Sequence, residues 1–139
     1  MNIRIMTIHD YEPVYSLWLN TPNMGLNDLD DSKAGIAKYL ARNPNTCFVA
    51  EKDGIIIGVI LSGHDGRRGY IHHAAVAQSE QRQGIGTSLV SAAMTALERE
   101  GIHKVALVVF EKNEEGNTFW KKCGFTSRDD LIYRNKRIA

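Results

Sequence analysis

The sequence predicts an α/β (α+β) fold: a mixed, mostly antiparallel central sheet flanked by helices, in the order β-α-α-β-β-β-α-β-α-β, within a single domain of residues 1–139. Three observations predict it. Apolar residues switch along the chain between alternation, the period of strands, and spacings of three to four, the period of helices. Asp53-Gly54 separates two apolar runs by two residues, a strong hairpin signal. An apolar run ending in Val76-Ala77 leads through a glycine loop into an amphipathic stretch. A chain of 139 residues is long enough to bury one proper core.

Each element has a local reason. Residues 2–6 alternate Ile3 and Ile5 and form a first strand. Residues 10–20 read as a helix with Val14, Leu17 and Trp18 inward, and Pro13 is tolerated in its first turn. The following segment, 21–31, holds Pro22, Gly25 and aspartates, and is a loop. Ser32 is placed to cap a second helix, which ends near Arg42 and buries Ile36, Tyr39 and Leu40. Strands 46–52 and 55–62 flank the Asp53-Gly54 turn, and a turn at 64–69 leads into a third strand, 69–77. Ile85, Leu89, Ala93, Ala96 and Leu97 line one face of the central helix, which Gly101 stops. Residues 104–110 are a strongly apolar strand, Asn113 opens a helix, and residues 130–136, containing Tyr133, are the last strand expected.

The stretch Gln81-Arg82-Gln83-Gly84-Ile85-Gly86 carries the most chemical information. It lies where a loop becomes the first turn of a helix. The first amides of a helix have no internal partner and sit at the positive end of its dipole, where they hold phosphate or pyrophosphate. Glycine lets a ligand approach the backbone closely. No Gly-Lys-Ser/Thr ending follows, as a P-loop needs. The third glycine of a dinucleotide fingerprint is missing as well, and Glu98 and Glu100 fall inside the helix.

With Val76 before it, this Gln-x-x-Gly-x-Gly element resembles the acetyl-CoA pyrophosphate loop of the GNAT (GCN5-related) N-acetyltransferases. Two further elements match in order: the apolar strand 104–110 followed by Asn113, and the aromatic pair Phe119-Trp120 leading to Gly124-Phe125. The resemblance covers roughly residues 3–133. It implies that the strands carrying His72 and Val105 splay apart and that the pantetheine arm lies in the split. Small residues there, Ala74, Ala75 and Val76, would let backbone groups bond the arm as an added strand; alternatively, the alanines pack beneath a helix. The cofactor-binding residues implied are Ala75, Val76, Gln81, Arg82, Gln83, Gly84, Ile85, Gly86, Thr87, Asn113 and Trp120. Acetyl-CoA enters as a cosubstrate, with no metal.

The reaction implied is direct transfer of an acetyl group to a primary amine of a small molecule, peptide or protein in a ternary complex. The ammonium must lose a proton before attack, and the thioester oxygen needs a donor, for which an N–H near Val76 is the candidate. Many family members place a Tyr acid four residues before the Gly of the final Gly-Phe; here that position is Trp120, whose indole donates a hydrogen bond but no acidic proton. Either Tyr133 takes the role or CoA leaves as the thiolate. The position of the catalytic Glu in the histone-acetyltransferase branch falls on Tyr70. His72, two residues on and on the same strand face, has a side chain of suitable pKa for the base, whereas His73 is expected on the opposite face. A water chain without a dedicated base is the alternative. The catalytic candidates are therefore His72, Tyr70 and Tyr133. With neither usual residue in place, a noncatalytic acetyl-CoA-binding module is the competing reading.

For the acceptor, the resemblance points to the first two helices and their connecting loop, where Asn27-Asp28-Leu29-Asp30-Asp31 either attracts an ammonium group or simply forms a solvated helix start. Arg67-Arg68 either approaches a CoA phosphate or occupies a solvated hairpin. A net charge of +1 gives no nucleic-acid-coating surface. Cys47 and Cys123 lack the spacing of a metal or disulfide site. The N-terminal segment, with His9, Asp10 and Glu12 close behind the first strand, is neither signal peptide nor membrane span, which predicts a cytoplasmic protein. Base rates of assembly favour a homodimer.

Overall fold

A computed structural model describes residues 1–139. The elements in chain order are β1 (Asn2–Ile5), α1 (Tyr11–Leu19), α2 (Lys33–Arg42), β2 (Phe48–Lys52), β3 (Ile55–His64), β4 (Gly69–Val76), α3 (Ile85–Arg99), β5 (Val105–Ala106) and α4 (Glu114–Lys122). The strands form one five-stranded sheet in sequential order. Every pairing is antiparallel except β4 with β5, which is parallel. This is the mixed, helix-flanked sheet that the alternating pattern predicts.

Two apolar layers hold it together. On one face Val14 and Trp18 of α1 and Ile36 and Leu40 of α2 pack against Val49, Val59, Leu61 and Ala75. On the other, Ile85, Leu89, Val90 and Ala93 of α3 pack against Ala50, Ile57, Ile60 and Ile71, with Phe119, Trp120 and Cys123 of α4 at the margin. The alternation along β3 feeds both layers, so this strand is buried almost throughout. Glycines set how closely the helices approach. A Cβ on Gly58 would meet Leu89 and Ile85 of α3 at 3.0 and 3.2 Å. A Cβ on Gly63 would sit 2.4 Å from the Asn43 side chain and 2.5 Å from the Tyr39 hydroxyl. The end of α2 therefore rests directly on β3.

Two expectations at the C-terminal end are corrected. The strand foreseen over 104–110 is ladder-paired only at Val105–Ala106, and 107–110 leaves the sheet. The strand foreseen over 130–136 does not form: α4 is the last element, and Leu131, Ile132 and Tyr133 are 61%, 78% and 66% exposed. A short apolar run followed by Arg134, Lys136 and Arg137 has the composition of a strand, but a strand also needs a neighbouring edge, and β5 offers only two paired residues.

Candidate active site

The glycine loop lies where the sequence places it. Gly84 adopts a left-handed conformation (φ 78°) as the N-cap of α3, and no side chain caps the helix. The first bond closing the helix runs from Ser88 N–H to the Gly84 carbonyl, at 3.0 Å. The preceding N–H groups of Ile85, Gly86 and Thr87 consequently have no i−4 carbonyl inside the helix. A Cβ on Gly84 would meet nothing within 4 Å, so it faces open space. Gly86 has a different reason to be glycine, because a Cβ there would lie 3.2 Å from the Phe119 ring of α4. Arg82 also holds a left-handed backbone (φ 66°), unusual for a residue with a Cβ, and its exposed side chain lacks a carboxylate partner.

The other loop residues divide by function. Gln81 Nε2 donates to the Val76 carbonyl at 3.3 Å, tying the loop back to the end of β4. Gln83 reaches Glu80 at 3.4 Å. The side chains of Ile85 and Ala75 are buried, 4% and 6% exposed, so only their backbones can face a ligand. Asn113 caps α4, its side-chain oxygen accepting from Gly116 N–H at 3.0 Å. Trp120 meets Phe119 and Phe125 edge-on, with ring centroids 5.0 and 5.3 Å away. It belongs to the aromatic packing that seats α4.

Beside the loop, β4 and β5 pair only at Gly69↔Val105 and Tyr70↔Ala106. From Ile71 to Val76 the β5 side of β4 is an unpaired edge. A backbone edge of this kind, next to uncapped helix amides, fits an extended arm bearing amides and ending in pyrophosphate. Such an arm would be met by backbone groups of β4 and α3 more than by side chains.

The parting of the strands coincides with a β-bulge. Leu61 pairs with His73 while Ser62 pairs with Ile71, which leaves His72 as the extra residue. The bulge breaks the strand's alternation and corrects one expectation: both histidines lie on the α1/α2 face. His72 meets Tyr39 of α2 edge-on at 5.2 Å and lies 4.6 Å from the Tyr70 ring, centroid to centroid. His73 meets Trp18 of α1 at 4.9 Å, and its Nε2 lies 2.9 Å from Asp31 Oδ1. Strict alternation, the only guide the sequence offered, cannot foresee an inserted residue.

Their environments differ. His72 is exposed by area yet walled by the two phenol rings, and this enclosure holds its pKa below the ordinary histidine value; His73 adds to the shift, whereas Asp31 and Asp30 oppose it. It therefore presents a neutral imidazole at neutral pH. Burial, then nearby Tyr133, pushes the Tyr70 phenol up, so it keeps its proton. Tyr133 itself lies on irregular chain after α4 and is 66% exposed. Asp31 is buried, yet its carboxyl falls below the usual range because the His73 ring and Asn27 N–H outweigh the burial that opposes them. Tyr11 donates to the Asp31 carbonyl at 2.7 Å. Asp31 therefore fastens the loop before α2 onto α1 and β4, while Asp28 and Asp30 remain exposed. Burial raises the Cys47 thiol to about 12, which leaves it inert as a nucleophile.

One feature of the site escaped the sequence. A cavity of about 300 Å³ opens beside His72 and Tyr70, lined by Tyr39, Arg42, Asn43 and Arg68 among others. Its lining comes from α2, the β3–β4 turn and β4, segments far apart in the chain. Arg68 is on this side of the molecule rather than at the glycine loop.

A cradle of free helix amides beside a parted strand pair is suited to a nucleotide-bearing carrier with an extended arm. The profile of the Acetyltransferase (GNAT) family matches residues 11–125, and the chain belongs to that family. It is similar to Acetyltransferase plu1384 of Photorhabdus laumondii, with 32% identity over 141 residues covering 100% of this chain and 97% of that protein. Among solved structures, Ard1 from Thermoplasma volcanium superposes with a TM-score of 0.80 at 25% identity, covering 90% of this chain and 82% of that one. The PaiA N-acetyltransferase from Thermoplasma acidophilum, in complex with coenzyme A, gives a TM-score of 0.79 at 21% identity, covering 92% and 91%. The protein is an N-acetyltransferase.

Proposed function

We propose that the enzyme moves an acetyl group from acetyl-CoA directly to a primary amine of a small molecule or peptide, with both substrates bound together. The observation that carries this reading is the bulge at His72, which sets a neutral imidazole and a protonated phenol side by side where β4 leaves β5. Acetyl-CoA supplies the activated thioester. The amides of Ile85, Gly86 and Thr87, together with Arg82, hold its pyrophosphate, and the free edge of β4 up to Val76 orients its arm and offers an N–H to the carbonyl oxygen. His72 takes the proton from the ammonium, directly or through a water, so that the nitrogen lone pair is free to attack. The carbon–nitrogen bond forms as the carbon–sulfur bond breaks. Tyr70 and Tyr133 are the phenols able to return a proton to the departing sulfur. No protein nucleophile is required, consistent with a buried Cys47 and with Cys123 at the end of α4.

The test is calorimetric titration with acetyl-CoA and CoA, followed by thiol release over a panel of amines. Binding with turnover on a primary amine is expected, in initial-rate patterns of a ternary complex. A ping-pong pattern would overturn direct transfer, and failure of acetyl-CoA to bind would overturn the assignment of the glycine loop.

A further inference from the structure

We propose that the acceptor is a small amine that also carries a carboxylate, of the size of an amino acid, and that Arg42 and Arg68 receive that carboxylate in the cavity beside His72. The proposal rests on the acetyl-transfer reading above and names the substrate class of the same site. Four observations lead to it.

The cavity, about 300 Å³, is at the small end of the range for small-molecule sites. It suits a compact acceptor better than a long polyamine or an aminoglycoside. Its polar lining consists mostly of donors. Arg42 comes from the last turn of α2 and Arg68 from the turn before β4, and neither guanidinium has a carboxylate partner. Asn43 is only 5% exposed; its Oδ1 accepts from His64 N–H at 2.9 Å, and its Nδ2 has no hydrogen-bond partner although it lines the cavity. The Tyr39 hydroxyl is likewise without a partner, and burial raises its pKa, so it too remains a donor.

The acceptor groups in the lining are partly engaged. Asp65 Oδ1 receives the backbone N–H groups of Arg67 and Arg68, both at 2.8 Å, which folds that carboxylate into its own turn. His64 accepts from Gly66 N–H at Nδ1, at 2.9 Å, and its Nε2 lies 2.8 Å from Glu100. What remains without a protein partner is two planar cations, an amide donor and a phenol, set against one free oxygen of Asp65. Guanidinium groups match the geometry of a carboxylate with paired hydrogen bonds, and the amide and the phenol offer further donors beside them. The same lining includes His72 and Tyr70, where the amine must lose its proton. The cavity thus joins an anion-receiving end to a proton-removing end. Gly63 makes it possible, since any Cβ there would drive Tyr39 and Asn43 off the sheet.

The experiment titrates the full-length protein with the L-amino acids and with β-alanine and 4-aminobutyrate, each beside its methyl ester, and repeats the series with Arg42→Gln, Arg68→Gln and, as a charge control, Arg99→Gln. At least one free acid is expected to bind tenfold or more tightly than its ester. That ratio should collapse in Arg42→Gln and Arg68→Gln and persist in Arg99→Gln. Both arginines are exposed, so thermal melts of the variants should match the parent. Equal binding of acid and ester, binding by none of the acids, or an acid-to-ester ratio unchanged in both arginine variants would overturn the proposal. Titration with acetyl-CoA in parallel reports on the glycine loop alone. A failure there counts against the acetyl-transfer reading, whereas intact acetyl-CoA binding with turnover of amines that lack a carboxylate counts only against the anionic acceptor.

Discussion

At the scale of single residues, the chemistry of the site turns on one insertion. Without the extra residue His72, residues 72 and 73 of a regular strand would lie on opposite faces, and only one could meet the helices above. With it, His73 is committed to Asp31 and Trp18, while His72 is left without a hydrogen-bond partner beside the acceptor cavity. Because enclosure lowers the pKa of His72, the acid limb of kcat/KM should fall below the ordinary histidine value near 6.5 rather than at it. His72→Gln should remove that limb and lower kcat by roughly 10²–10⁴-fold. A profile with the limb unmoved in His72→Gln would assign it to another titrating group and remove His72 as the base. The same shift acts on stability: below about 6.5 an unfolded chain takes up a proton that folded His72 declines, so acid costs stability until the folded imidazole is itself protonated. Asp31 acts with the same sign at lower pH, its depressed carboxyl supporting the fold above its unfolded value near 3.8 and losing that contribution as pH falls through the folded one. The composition and order of these residues were legible in the chain; their shared face was not, because an inserted residue has no signature in hydrophobic periodicity.

At the scale of elements, two glycines two positions apart illustrate what a motif conceals. Both Gly84 and Gly86 belong to the pattern that marks the phosphate loop, yet only Gly84 faces open space, and Gly86 is small because α4 lies against it through Phe119. Gly84→Asp should therefore abolish acetyl-CoA binding, since a carboxylate would stand where the pyrophosphate is received. Its cost in stability should be no more than about 1–2 kcal/mol for the left-handed backbone. Gly86→Ala should instead press on the α3–α4 contact, costing about 1–3 kcal/mol as the ring shifts by a few tenths of an ångström. Calorimetry and melting curves on the two variants separate the effects. Equal affinity in Gly84→Asp would remove the ligand from that end of α3. The helices themselves were legible: Ser32 caps α2 through Gly35 N–H as its position suggests, and Asn113 caps α4.

At the scale of the whole molecule, β4 is shared between two halves with different tasks. In the reading proposed, the α3/α4 layer cradles the carrier and the α1/α2 layer with its clamped loop forms the acceptor side; β4 passes between them and carries the bulge. The fold class was legible because both layers impose their own period on the chain. The C-terminal strand was not, because pairing depends on an edge elsewhere in the molecule. The segment after α4 provides a clear test of which layer it serves. Its large apolar residues are exposed, Ile138 by 94%, and its contact with the body includes a surface pair between Arg137 and Asp28 at 3.7 Å, a type worth little. Phe125, by contrast, packs on Trp120 and donates its N–H to the Trp120 carbonyl at 3.0 Å, so it belongs to α4. Removing residues 128–139 should thus move the melting temperature by no more than about 2 °C. The same truncation deletes Tyr133, the second phenol proposed as acid, and should lower kcat while acetyl-CoA affinity stays unchanged. Tyr133→Phe in the full chain should reproduce the loss if the hydroxyl is what matters. A truncated protein with full kcat would leave Tyr70 as the remaining phenol at the site, and a large fall in melting temperature would show that the segment supports the sheet after all.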